Sequence, residues 1–247
     1  MLVRAVPAVT RAIAILRLLG RTKPPMGVKA ISQALDLVPS TSLHILRVLV
    51  AEELVKVDSA KQYSLGAGML SLARAALDSS DFPTLVQPRL DMLSKRYGVT
   101  AIGVELPNLE HMIVVALSQT QAPVRLHVDI GSRFPALISA TGRCMAAFST
   151  QSSAEIEKRF RALRWHNAPD YRSWLKEVDT VRRQGFSIDR GNYIAGVTIV
   201  AVPVLDAAGT ISQTIASVGI SSQLDRTTSV ALAHDMQAAA RAVAAEL

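Results

Sequence analysis

The 247-residue sequence predicts an α+β protein in two parts: an N-terminal winged helix-turn-helix and a C-terminal mixed domain with a mainly antiparallel sheet. Three observations lead there. Two helical periods lie close together between residues 28 and 53, two short runs flank a polar turn after them, and beyond residue 81 helical stretches interleave with strand-like ones. Composition permits both parts, since 49% hydrophobic residues can fill a core in each. Charge is uneven. Residues 1–80 carry ten Lys/Arg against five Asp/Glu, and residues 81–247 carry seventeen against fifteen, so most of the net +7 lies in the first third. A basic excess confined to one segment fits a polyanionic partner better than a diffuse one does.

The elements follow in order. Apolar residues at 9, 12, 13, 15, 16, 18 and 19 have helical spacing, and Gly20, Pro24 and Pro25 end that helix. A second helix spans about 28–35, with Ala30, Ile31, Ala34 and Leu35 on one side. After a break at 36–39, the hydroxyls of Ser40, Thr41 and Ser42 are expected to cap a third helix ending near Glu53. Two helices separated by three or four residues have helix-turn-helix spacing. Residues 54–57 and 62–65 flank Asp58-Ser59-Ala60-Lys61 and read as a hairpin, the wing. Domain bounds are therefore 1–66 for the winged helix-turn-helix, 67–80 for a linker helix, and 81–247 for the second domain. In the latter, helical spacing at 85–97 precedes expected strands at 100–106, 111–118 and 124–128. Helices at 139–149, 152–163 and 171–184, strands at 186–188, 198–205 and 211–220, and a closing helix from about 226 complete it.

On the third helix, Leu43, Leu46, Leu49 and Val50 gather on one side, while Ser40, Thr41, His44, Arg47 and Val48 fall broadly opposite. Short hydroxyls at a helix start suit phosphate or base contacts, and an arginine there reaches a guanine edge or a phosphate. With Ser42 and the wing residue Lys61, these give a candidate DNA-binding set of Ser40, Thr41, Ser42, His44, Arg47 and Lys61. A solvated surface helix would carry the same residues. The preceding helix, the hairpin and the local charge favour DNA.

A single cysteine, Cys144, cannot form an intrachain disulfide. Arg11 and Arg17 interrupt the apolar stretch at 3–19, and no run reaches the ~20 apolar residues of a membrane span. The expectation is a cytoplasmic chain with no membrane partner. No His/Cys cluster has zinc spacing, no phosphate loop is present, and no serine occupies a nucleophile elbow, so neither cofactor nor catalysis is expected. Cys144, between Arg143 and Met145 on an apolar helix, reads as packing. Two alternatives stay open: a small-molecule enzyme domain tethered to DNA, and an architectural DNA-binding protein without a ligand.

Arg11-Ala-Ile-Ala-Ile-Leu, Ile31-Ser-Gln-Ala-Leu-Asp-Leu, Pro39-Ser-Thr-Ser-Leu-His-Ile-Leu and Tyr63-Ser-Leu-Gly together resemble the N-terminal domain of IclR-type transcription regulators. The C-terminal part is similar to that family's effector domain in Gly131-Ser-Arg-Phe-Pro-Ala-Leu, Ala140-Thr-Gly-Arg-Cys, Gly185-Phe-Ser-Ile-Asp, Gly196-Val and Ala201-Val-Pro-Val-Leu-Asp-Ala-Ala-Gly. Departures exist: the family often has Arg at Ile45, a basic residue at Ser40, Gly at Glu53 and an acid at Asn192. The resemblance implies a GAF-like effector domain, with a small organic molecule between the sheet and the loop at 131–142. It also implies a regulator of a catabolic operon, homodimeric through the N-terminal domains and homotetrameric through the effector domains. Matched by position, the effector site is Leu126, Phe134, Ala140, Thr141, Asp189, Val197, Ile199, Ala216 and Val218. Some relatives have Cys at Ile199 and Ser at Ala216 and Val218, where they hold a small polar acid. Here those three are apolar, so the expected effector is larger and mostly apolar, with Asp189 as polar anchor. Asp189 also fits a plain turn former before Gly191.

Overall fold

The computed structural model describes residues 6–78, 80–119 and 128–247, and the chain divides into two compact units, Met1–Ser79 and Ser80–Leu247. In the first, helix α1 (Pro7–Arg21) is followed by β1 (Met26–Gly27), α2 (Val28–Leu35), α3 (Pro39–Ala51), β2 (Val55–Val57), β3 (Gln62–Leu65) and α4 (Gly68–Asp78). Its core is Ile15, Leu19, Ile31, Leu46, Leu49, Val55 and Tyr63, one or two residues each from α1, α2, α3, β2 and β3. The break between α2 and α3 turns on Asp36, which ends α2 in the left-handed region at φ 51°, with the Leu37 amide donating to the Ser32 carbonyl at 2.9 Å. Asp tolerates that conformation better than most residues, because its short polar side chain can hydrogen-bond to the local backbone.

The hairpin forms as expected, with Val55 opposite Leu65 and Val57 opposite Tyr63. The Asp58 carboxylate accepts the Gln62 amide at 2.8 Å and the Asp58 carbonyl accepts that of Lys61 at 3.0 Å, closing the wing. Strand β1 was not expected. Its two residues pair with β3, giving the order β1-β3-β2, and two residues are too few to produce an alternation. The start of α3 differs from the capping expectation. Extended Val38 is the N-cap without a side-chain bond, and Pro39, which has no N–H to satisfy, takes the first helical turn.

The second unit runs α5 (Phe82–Tyr97), β4 (Thr100–Glu105), β5 (His111–Leu117), β6 (Arg133–Pro135), α6 (Ser139–Phe148), α7 (Ser153–Arg161), α8 (Tyr171–Gln184), β7 (Ser187–Arg190), β8 (Val197–Leu205), β9 (Ile211–Ile220) and α9 (Arg226–Ala244). The sheet has order β6-β5-β4-β9-β8-β7, and every pairing is antiparallel. Strand β8 is buried on both faces, which is why its sequence reads as a continuous apolar run. Val200 and Val202 pack with α5 and α9, through Phe82, Leu90, Leu232 and Met236. Val197, Ile199 and Ala201 pack on the opposite face with α6, α7 and α8, through Ala140, Cys144, Phe160 and Trp174.

Residues 124–127 of the strand expected at 124–128, with Leu126, lie outside the described residues. The short β6, which was not expected, pairs with β5, Met112 opposite Phe134. No single helix among the described residues is long and apolar enough to cross a membrane.

Candidate DNA face and effector site

The exposed side of α3 is set by its packing. Leu46 and Leu49 are buried, and Ser42, one turn before Leu46, is buried with them at 0% exposure. Helical spacing places residues 42, 46 and 49 on one face, so Ser42 points into the core and leaves the candidate DNA-binding set. Ser40, His44 and Arg47 are exposed and Thr41 is half-buried. Val48, 61% exposed, shares their face. An apolar side chain left in water beside polar ones is what a thymine methyl contact requires. Lys61 stands exposed at the wing tip with φ 56°.

In the second unit, sheet register brings the expected effector residues together. Asp189 lies opposite Ile199 and Ile199 opposite Val218, so the three form one row across β7, β8 and β9. Val197 and Ala216, each two residues away along its strand, project to the same face. All are buried, as are Ala140 and Thr141 on α6, while Phe134 on β6 is half-buried. Helix α6 is drawn tightly onto its preceding loop. A Cβ on Gly142 would come within 2.0 Å of the Leu137 carbonyl group, so only glycine fits there. Ser139 begins α6 in the left-handed region at φ 58°.

What holds that strained start is Arg143, which the sequence reading treated only as a neighbour of Cys144. Its side chain is 1% exposed. One Nη1 donates to the Ser139 carbonyl at 2.9 Å and faces the Asp189 carboxylate at 3.4 Å; Nη2 donates to Asn192 at 3.1 Å, Nε pairs with Glu177, and the guanidinium lies 6.0 Å from the Trp165 ring centroid. Asp189, also 1% exposed, accepts the amides of Asn192 at 2.9 Å and Tyr193 at 3.4 Å. Thus Asp189 is a turn former and a buried ion-pair partner at once. The signal in the sequence was an arginine inside the apolar stretch Ala140–Ala147, since a buried charge there requires partners.

The 74–245 segment matches the model of the bacterial transcriptional regulator IclR C-terminal domain, and 8–59 matches the IclR helix-turn-helix domain. The chain belongs to the IclR family. Its relatives include the HTH-type transcriptional repressor AllR of Salmonella paratyphi A, 27% identical over 88% of this chain and 81% of the relative, and that of Escherichia coli K12, 26% identical over the same shares. Among solved structures, an IclR regulator from Alicyclobacillus acidocaldarius superposes with TM-score 0.86 at 24% identity, covering 98% of this chain and 99% of the other. Pseudomonas aeruginosa HmgR superposes with TM-score 0.74 at 24%, covering 98% and 99%.

As an IclR-family member the chain is a DNA-binding transcriptional regulator, not an enzyme. Cys144 accords with this. It is fully buried, its thiol donates to the Ala201 carbonyl at 3.5 Å, and burial pushes its pKa up to about 12, outweighing the Arg143 charge nearby. A thiol that stays protonated at neutral pH is a poor nucleophile.

Proposed function

We propose that this IclR-family regulator reads its operator through Ser40, Thr41, His44, Arg47 and Val48 on α3, with Lys61 of the wing on phosphate, and that a small, largely apolar organic molecule bound to the second unit changes that affinity. The observation that carries the effector reading is the row Asp189–Ile199–Val218, flanked by Val197 and Ala216 and lying under the start of α6 with Ala140 and Thr141. Apart from Asp189, those five side chains offer no hydrogen bond; the hydroxyls of Ser187 and Thr214 on the same face lie two residues farther along β7 and β9. Phe134, and Leu126 outside the described residues, complete the site in this reading. An aromatic or aliphatic body gains about 25 cal/mol for each Å² it buries there, whereas a small carboxylate would lose its hydration with few donors in return. The 3.4 Å contact between Arg143 and Asp189 is longer than a good charge-assisted bond of about 2.7–2.9 Å, which leaves that carboxylate oxygen able to accept a donor from the effector. Dimers, paired into tetramers, supply two winged helices for two half-sites of an operator in a catabolic gene region.

The test is calorimetry of the full-length protein with aromatic amides and phenols against glyoxylate and pyruvate. Binding of the first group, and a gain in affinity for the second on Ile199→Ser, is expected. Tight pyruvate binding by the unsubstituted protein, unchanged by Asp189→Ala, would sink the reading.

A further inference from the structure

We infer that the outer edge of β7 is a docking slot for a short, extended, acidic segment of a partner protein, which adds to the sheet as a further strand. β7 ends the sheet, with β8 on one side only. Its hydrogen-bond parity is fixed by two bonds beyond the strands. The Gly191 amide donates to the Val197 carbonyl at 3.0 Å, and that of Ser221 to the Gly196 carbonyl at 2.9 Å. In an antiparallel ladder bonded pairs alternate, so odd residues of β7 pair with odd residues of β8, while even residues of β8 turn to β9. The N–H and C=O of Ile188 and Arg190 therefore point outward, and none has a backbone partner among the described residues. The neighbouring outward carbonyl, that of Phe186, is already taken by the Gln184 side chain at 2.8 Å, which marks one end of the slot.

Ile188 and Arg190 line a cleft of about 590 Å³ that also takes in residues of α8 and the start of α9, with Val181, Ile188 and Val230 as apolar lining. The rim is cationic. Lys176 and Arg226 have no ion-pair partner among the described residues; Arg190 donates to the Leu224 carbonyl at 2.7 Å and lies near Asp225, the N-cap of α9. Glu177, the acid in the lining, is engaged by Arg143. Main-chain groups of an edge strand give affinity to an added strand, and the flanking side chains choose it; here they choose negative charge. A second copy of this chain is a poor occupant. The chain carries net +7, and its acids at the alternate spacing an added strand would present, Glu155 with Glu157 and Glu177 with Asp179, lie in helices α7 and α8.

The experiment is fluorescence anisotropy of the full-length protein with a fluorescein-labelled Asp-Val-Glu-Val-Asp peptide. Binding is expected, weakened about tenfold or more by Ile188→Pro and retained within about twofold by Ile188→Thr, because proline removes the outward N–H yet is tolerated on an edge strand. Charge reversal at the exposed Lys176 and Arg226 together tests the slot without touching the ladder and should weaken binding at least as much; a Lys-Val-Lys-Val-Lys peptide should not bind. No binding by the unsubstituted protein would overturn the proposal. So would binding that survives both Ile188→Pro and the double charge reversal, which places the peptide on another basic surface. Sedimentation showing that Ile188→Pro dissociates the oligomer would assign the slot to a second copy instead.

Discussion

Glu53 holds a left-handed backbone, φ 59°, at the turn from α3 into the wing, a conformation that favours glycine. A non-glycine residue there costs about 1–2 kcal/mol, offset in part by the smaller chain entropy it loses on folding. Glu53→Gly should therefore raise the stability of the protein by up to about 1 kcal/mol, read from urea unfolding. Gly66→Ala should do the opposite, since its Cβ would lie 2.1 Å from the Glu53 carbonyl oxygen; a midpoint unchanged in urea would contradict the turn geometry. Arg143 is the other residue with large leverage. Replacing it by Met leaves Asp189 buried beside two amides without its cation, a loss of about 3–5 kcal/mol, and adding Asp189→Leu should recover part of it. Purely additive losses would mean the pair does not interact. The raised pKa of Cys144 gives a third test. At pH 8 the native thiol should resist iodoacetamide and react once urea unfolds the protein. Between about pH 9, the ordinary value for a thiol, and about pH 12 stability should fall, because the unfolded thiol releases its proton before the folded one does. Rapid native alkylation would show Cys144 to be accessible.

At the scale of elements, α3 is the part on which specificity turns. Arg47→Ala is expected to weaken operator binding by about 1–3 kcal/mol and to relax preference at one base pair, whereas Lys61→Ala should weaken binding to all sequences alike and lower its salt dependence. Footprints and mutant-operator titrations separate the two, and an Arg47→Ala protein with an unaltered base preference removes Arg47 from the reading surface. Much of this element was legible in the sequence, because the period of 3.6 that hides Leu46 and Leu49 also exposes Ser40, His44 and Arg47. Ser42 was misread because hydroxyl chemistry was weighed ahead of that period. The cap failed for a related reason: Pro39 begins the helix without an N–H of its own to satisfy. Strands β8 and β9 were legible close to their bounds, whereas β7, expected at 186–188, runs Ser187–Arg190, where Asp189 and Arg190 give no apolar signal. The two-residue β1 and three-residue β6 were not, since pairing with a distant partner rather than local pattern makes them strands. Helix α5 begins three residues before the periodic stretch and carries Pro88 in its interior, held there by burial of Phe82, Val86, Leu90 and Leu93. In the site, the apolar floor could be matched by position, but the role of Arg143 depended on a partner 46 residues away, Asp189, and on Asn192 farther still.

For the whole molecule, regulation requires that effector and operator alter one another's affinity by the same factor, because both act on one set of equilibria. A coupling of about 1–3 kcal/mol corresponds to a change of about 5–150-fold in operator affinity. Once an effector is found, measuring its affinity for free protein and for the operator complex should return the factor that it imposes on DNA binding. Ile199→Ser is expected to change the effector's affinity with little effect on operator binding in its absence, since Ile199 lies in the core of the second unit and α3 in the first. Arg143→Lys is expected to behave differently. It keeps a cation beside Asp189 but gives up the fork that reaches Ser139, Asn192 and Glu177 together, so it should loosen the start of α6 and lower the coupling factor more than the effector affinity. Equal losses in affinity and coupling would make Arg143 part of the binding surface alone. An unchanged coupling factor would mean that the strained start of α6 plays no part in carrying the signal.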